Sequence, residues 1–167
     1  MTRVLVTGMS GTGKSTVLVE LAKRGHRVVD TDYAGWSEDV RSPDGSGSER
    51  LWREDRMSAL LAEDLAEPLI VSGCTSNQGK FYDRFDAVVL LTLPVDVLLE
   101  RVASRVTNTF GKNPAERDRI MRDLETAEPL LRATATAEID GTQPLHEIVD
   151  AVEALAAGGA DRGGAQR

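Results

Sequence analysis

The sequence predicts an α/β fold built on a parallel sheet. Two observations carry this. Short apolar runs alternate with segments of helical period along the chain. The first of those runs passes directly into a glycine-rich segment and then a helix, which is a strand–turn–helix unit. The 167 residues fit one domain, taken as residues 1–157, and are enough to bury a real core.

Val4-Leu5-Val6 is β-branched-rich and reads as the first strand. A helix follows from Lys14 to about Lys23, and Gly25 ends it. Arg27 to Asp30 reads as the second strand, Leu69 to Ser72 as the third and Ala87 to Leu93 as the fourth. Thr136 to Ile139 is a weaker fifth. Residues 42–48 have loop composition. After them Leu51, Met57, Leu60, Leu61 and Leu65 fall near helical spacing. Val95, Leu98, Leu99, Val102 and Val106 form an amphipathic stripe, as do Leu145, Ile148, Val149, Val152 and Leu155. Both stripes read as core faces. Pro144 suits the first turn of the last helix. Residues 158–167 are small and polar and read as a disordered tail.

Composition narrows the function classes. Hydrophobic residues make up 41% and charged residues 28%, a soluble globular balance. Aromatics at 4% argue against a base-stacking platform, and a net charge of -7 lacks the footprint of nucleic-acid binding. Cys74 stands alone, so no intramolecular disulfide is expected. The start MTRVLVTG has no signal-peptide pattern, and no apolar run approaches the ~20 residues of a membrane span. The expectation is a cytoplasmic monomer with no nucleic-acid or membrane partner.

The most specific signal is Gly8-Met9-Ser10-Gly11-Thr12-Gly13-Lys14-Ser15, a full match to G-x-x-x-x-G-K-[ST] between a strand and a helix. Glycines let the backbone curl so that successive N–H groups point at phosphate oxygens, and the helix adds its positive end. Gly8, Ser10, Gly11, Thr12, Gly13, Lys14, Ser15 and Thr16 are therefore the expected nucleotide contacts. Lys14 would reach the β- and γ-phosphates, and Ser15 would ligate magnesium. ATP and Mg2+ are the expected cofactors. There is no N-K-x-D guanine motif and no L-S-G-G-Q, and the third strand ends Ile70-Val71-Ser72-Gly73 without a Walker-B aspartate. The acidic candidates end the second strand instead, as Asp30-Thr31-Asp32. Ligands of an open parallel sheet bind beyond the carboxyl ends of its strands. One aspartate would hold water on magnesium and the other accept a proton from an acceptor hydroxyl. An Asx turn with a helix cap is the structural alternative.

With that loop and that D-T-D, the chain resembles the nucleoside-monophosphate-kinase-like group, nearest to shikimate and gluconate kinases. The resemblance implies a three-layer α/β/α P-loop NTPase fold with a five-stranded parallel sheet. It also implies a small helical acceptor-binding region (33–66) and a lid (105–118). By the same resemblance Asp30 is the magnesium-associated aspartate, and Asp32 the acceptor-binding aspartate and base. Glu49-Arg50-Leu51-Trp52-Arg53 resembles an acceptor-binding segment, which makes Arg53 an acceptor contact. Gly73 sits where those kinases carry a glycine triplet, here broken as Ser72-Gly73-Cys74. Arg101 resembles the arginine packed on adenine, and Arg105, one turn on, a catalytic lid arginine. The segment Asp140-Gly141-Thr142-Gln143-Pro144 resembles the loop bordering adenine, so Asp140, Thr142 and Pro144 join the nucleotide site. Asn77 and Gln78, after the third strand, are polar enough to read an acceptor. Thr126-Ala127-Glu128-Pro129-Leu130 stands where a carboxylate-gripping arginine would lie in shikimate kinases.

The expected activity is transfer of the γ-phosphoryl of ATP to a small hydroxylated metabolite, with Lys14, Asp32 and Arg105 as catalytic residues. A nucleotide kinase is the alternative, favoured if several of Arg41, Arg50, Arg53 and Arg56 line the acceptor site. A nucleotide-binding regulator or weak ATPase without an acceptor is the alternative of another class.

Overall fold

The computed structural model describes residues 2–104 and 113–158. Five strands are short; the three inner ones are mostly apolar, because a parallel sheet is covered on both faces, while the two edge strands each carry two charged residues. The five are β1 (Arg3–Thr7), β2 (Arg27–Asp30), β5 (Leu69–Ser72), β6 (Ala87–Thr92) and β7 (Ala137–Asp140). All pair in parallel, in the order β2-β5-β1-β6-β7. The chain runs from β1 to one edge, returns through β5, and crosses β1 to reach β6. The carboxyl end of β1 is thus the point where the winding reverses, the place such sheets hold ligands.

Alternation along β1 divides the core. Val4 and Val6 face α1 (Lys14–Lys23) and α6 (Leu145–Gly158), where Val17, Leu18, Leu21, Val149 and Val152 bury. Leu5 faces the other way, onto α2 (Glu54–Ala62) and a 3-10 helix (Gln78–Arg84), with Trp52, Met57, Leu60 and Phe81. A third cluster joins Met9 and Leu93 to Leu98 and Val102 of α3 (Val95–Ser104) and Ile120 of α4 (Pro114–Thr126). The short α5 (Glu128–Thr134) follows α4 and buries none of its residues. The predicted stripes on the third and sixth helices are core faces, except that Val95 and Leu145 are exposed. Val106 lies outside the described residues.

Two readings need correction. Residues 33–66 are helical only from Glu54. Before it, β3 (Ser37–Arg41) and β4 (Ser48–Trp52) form an antiparallel hairpin, joined through Ser42–Gly47. Leu51 pairs with Glu38 there, so its helical spacing from Met57 was coincidental. Gly158, read as the first tail residue, closes α6, and residues 159–167 lie outside the described residues. Elsewhere boundaries hold closely. Gly25 ends α1 at φ 90°, with Gly25 N–H on the Ala22 carbonyl and His26 N–H on that of Leu21. That pairing is the Schellman cap, which needs a left-handed residue.

Behind the sheet, α1 and α6 are clamped by charge. Arg24 donates to Asp150 at 2.6 Å and also to Glu153, while His26 Nε2 lies 2.6 Å from Glu153 Oε1. His26 and then Arg24 hold the Glu153 carboxyl below its usual range. A carboxylate lowered in the folded state stabilises above the unfolded pKa, about 4.3, and loses that contribution as pH falls through the lowered value. Glu153→Gln should lower the thermal midpoint at pH 7 by a degree or two, on the order expected of exposed pairs. Melts of wild type and variant should converge as the buffer is taken below about pH 4.

In front, Thr31 is fully buried at the end of β2. Its Oγ1 donates to the Ser72 carbonyl at 2.7 Å and accepts from Trp52 Nε1 at 2.9 Å. Gly73 lies directly beneath: a Cβ there would stand 2.2 Å from Thr31 Oγ1 and 3.0 Å from Trp52 Nε1. Gly73→Ala should therefore cost about 1–3 kcal/mol through overpacking, seen as a midpoint lower by several degrees in thermal denaturation.

Candidate functional site

The glycine-rich loop leaves β1 where the backbone must pass close to β6. A Cβ on Gly8 would meet the Leu91 carbonyl at 2.4 Å. Gly11 and Gly13 take φ of 90° and 98°, which favours glycine. The loop closes through Thr12, whose N–H and Oγ1 both donate to the Met9 carbonyl. Gly13 then caps α1, so the first N–H groups of the helix face the loop's interior. Lys14 is buried and donates from Nζ to the carbonyls of Gly8 at 2.6 Å and Met9 at 3.0 Å. Its ammonium sits at the loop's mouth. Ser10 and Gly11 are half-buried beside it.

Asp30 answers this loop from the end of β2. Ser15 Oγ donates to its Oδ2 at 2.6 Å, and its Oδ1 accepts the Asp32 N–H at 3.1 Å. Asp30 thus makes the Asx turn of the structural alternative and also faces the serine of the loop. The pair fits magnesium, which keeps several waters and needs one or two protein oxygens beside substrate phosphates. Among the described residues no group of three or more His, Cys, Asp and Glu side chains stands ready to hold a metal. Asp32 is exposed, and its carbonyl accepts from Arg50 Nη2 at 3.2 Å.

Two cavities flank the loop. One, of about 210 Å³, is lined by Thr12, Gly13 and Thr16 on one side and by Arg101, Gly141 and Gln143 on the other. Arg101 Nη2 donates to the Gly141 carbonyl at 3.3 Å and so borders the space expected for adenine. The expected loop is in place, but alternate residues face the cavity. Gly141, Gln143 and Leu145 line it. Asp140 instead accepts from the Thr142 hydroxyl at 2.6 Å and its N–H at 2.8 Å, which lowers the Asp140 carboxyl from its usual value. The Pro144 carbonyl accepts from Glu147 and Ile148, opening α6.

The second cavity, about 520 Å³, begins at Met9 on the loop's other side. Glu49 and Arg50 of β4 line it, with Cys74 and Thr75 after β5 and Arg119 and Asp123 of α4. Gln78 touches it but is buried, and its amide is engaged within the protein. Oε1 accepts the Thr75 N–H at 3.0 Å, and Nε2 donates to Thr7 Oγ1 and to the Tyr82 hydroxyl, both at 2.9 Å. Asn77 pairs with both backbone groups of Trp52. The polar loop after β5 is thereby stapled to β1 and to the hairpin.

Of the four candidate arginines, Arg50 alone lines this cavity. Arg53 caps α2 and reaches Asp55 at 3.8 Å. Arg56 stacks on Trp36 at 4.1 Å, and Arg41 is exposed on the hairpin. Gly73 serves the Thr31–Trp52 contact, and Cys74 beside it reaches the cavity. Arg105 and most of the 105–118 segment lie outside the described residues; Asn113 caps α4 by accepting the Glu116 N–H at 2.8 Å. Arg119, Asp123 and α5 were missed in the sequence, although Ala127, Leu130, Leu131 and Thr134 share helical spacing there. Among the described residues no helix is long and apolar enough to cross a membrane.

Comparison with known proteins agrees with this geometry. A family profile described as an AAA domain, AAA_18, matches residues 4–122. A protein of Archaeoglobus fulgidus described as "Putative adenylate kinase" is 28% identical over 163 residues, covering 93% of this chain and 82% of its own. Shikimate kinase from Acinetobacter baumannii in complex with shikimate has a TM-score of 0.66 at 18% identity, covering 95% of this chain and 94% of that one. A gluconokinase from Sinorhizobium meliloti 1021 has a TM-score of 0.56 at 24% identity, covering 96% and 94%. With more than half its length matched, the chain belongs to the AAA-domain family AAA_18, and its five-stranded parallel sheet has the P-loop kinase fold.

Proposed function

We propose that the protein is an ATP-dependent kinase that transfers the γ-phosphoryl group to a small hydroxylated acceptor. One observation carries this reading: the glycine-rich loop stands between two cavities. The smaller opens at Thr12 and Gly13, the larger at Met9. A triphosphate lying along the loop with its base in the first cavity would present its last phosphate toward the second.

The residues then divide the work. The loop N–H groups and Lys14 hold the phosphates and oppose their charge. Ser15 and Asp30 would hold magnesium, which supplies further charge neutralisation on the phosphate oxygens. Arg101 and the Gly141–Gln143 loop orient the base. Asp32, beyond the end of β2, is the proposed base for the acceptor hydroxyl. Gln78 holds the acceptor-side loop in register with Thr7, so its part is positional. The fold of shikimate kinase and gluconokinase supports a hydroxylated acceptor. A nucleoside monophosphate is the second reading, supported by Arg50 and Arg119 at the larger cavity and by the Archaeoglobus relative.

Transfer should show as ADP release that depends on the acceptor, across a panel of hydroxylated metabolites and nucleoside monophosphates. Equal ADP release with every acceptor and with none would make the protein a plain ATPase. Lys14→Ala should lower turnover by about 10²–10³-fold, the scale of losing a preorganised phosphate donor. Undiminished turnover would refute the loop's role. Asp32→Asn should slow transfer by about 10²-fold or more while ATP still binds, measured by single-turnover transfer beside nucleotide titration. A near-normal rate would remove Asp32 as the base.

A further inference from the structure

The walls of the larger cavity differ in chemistry. Arg50, Thr75, Ser76 and Tyr82 make one side polar. Arg50 is held in place by Asp39 at 3.1 Å and by the Asp32 carbonyl. Another side is a single helical face, Ala127, Leu130, Leu131 and Thr134, at spacings of three, four and seven. Met9 continues it into the loop. Leu131 packs partly on the cluster of Met9, Leu98 and Val102. Among the described residues Leu130 belongs to none of the core clusters, and it is 70% exposed. A leucine that lines a cavity without serving the core gains its burial only from a ligand that covers it. A polyhydroxylated acid would leave that face wet and put hydroxyls against it without partners. The cavity is also more than twice the volume of the one assigned to the base.

We infer that the face of α5 centred on Leu130 is the specificity surface of the acceptor site, and that it takes the apolar ring of an anionic acceptor whose charge lies toward Arg50. The inference rests on the phosphotransferase reading. It assigns Leu130, with Leu131 and Met9, as the residues that choose the acceptor's body. Arg50 answers its charge, and Glu49 and Asp123 offer carboxylates to any N–H or O–H it carries.

The test is calorimetric titration of the full chain, saturated with magnesium and a non-hydrolysable ATP analogue so that the donor site is closed. The probes are four nucleoside monophosphates and phenyl phosphate as ring-bearing anions, with gluconate and ribose 5-phosphate as hydroxylated acids. At least one ring-bearing anion should bind more tightly than either acid. Leu130→Gln should weaken it by about tenfold, the scale of a lost apolar contact in a pocket, while Leu130→Met restores it to within about twofold. Because Leu130 is exposed, both variants should melt within about 2 °C of wild type. Tighter binding of the acids, no binding by any probe, or ring-anion binding indifferent to Leu130→Gln would overturn the assignment. In each of those cases the analogue still binds, and the phosphotransferase reading stands. Failure of the analogue to bind the wild-type chain would refute both.

Discussion

A single buried hydroxyl joins the two halves of the site. Thr31 ends β2, accepts the indole N–H of Trp52, and donates to the last carbonyl of β5. Its own N–H bonds that same Ser72 carbonyl at 3.0 Å, and its carbonyl accepts from Ser37 Oγ at 2.6 Å. Every polar group of Thr31 is thus paired in a place without water, where an unpaired group would be costly. The residues on either side inherit their directions from it. Asp30 turns toward Ser15 and the phosphate loop, while Asp32 turns out beyond the sheet. Trp52 hangs the hairpin from the same point. The proposed donor and acceptor halves therefore meet through one side chain, and Gly73 must remain bare to let them.

The donor half was legible in the sequence because its chemistry uses short local patterns. A glycine-rich turn between an apolar strand and a helix has few other readings, and the residues from Gly8 to Thr16 are contiguous. Parallel strands bury both faces, so all five runs were placed within a residue of their observed bounds. The hairpin was hidden for the opposite reason. Ser37–Arg41 and Ser48–Trp52 are mostly exposed, so no alternation marks them, and their pairing depends on Trp36, Trp52 and Asn77 rather than on a buried face. In the 140–144 segment, proposed to border the base, the residues that line the smaller cavity are the neighbours of those expected. Asp140 and Thr142 bond each other, and that turn directs Gly141 and Gln143 inward.

The larger cavity, proposed to hold the acceptor, was less legible because its walls come from four separate places: the hairpin, the loop after β5, α4 and α5. No spacing rule connects Arg50 to Arg119 or Leu130. The neighbours of similar fold reflect the same division. They share the overall fold at under 25% identity, which carries the architecture alone.

The ammonium of Lys14 has a consequence for how the loop meets its ligands. It is buried, but the Gly8 and Met9 carbonyls already solvate it. A phosphate bound as proposed would not rescue a stranded charge there; it would have to displace two carbonyl oxygens and engage the loop N–H groups at once. An anion with one or two weakly charged oxygens gains little from that exchange, whereas a polyphosphate gains at every position. On the proposed reading the loop would act as a threshold device: it would discriminate by the number of contacts an anion satisfies together, and the lysine would resume its carbonyl bonds once the shortened product leaves.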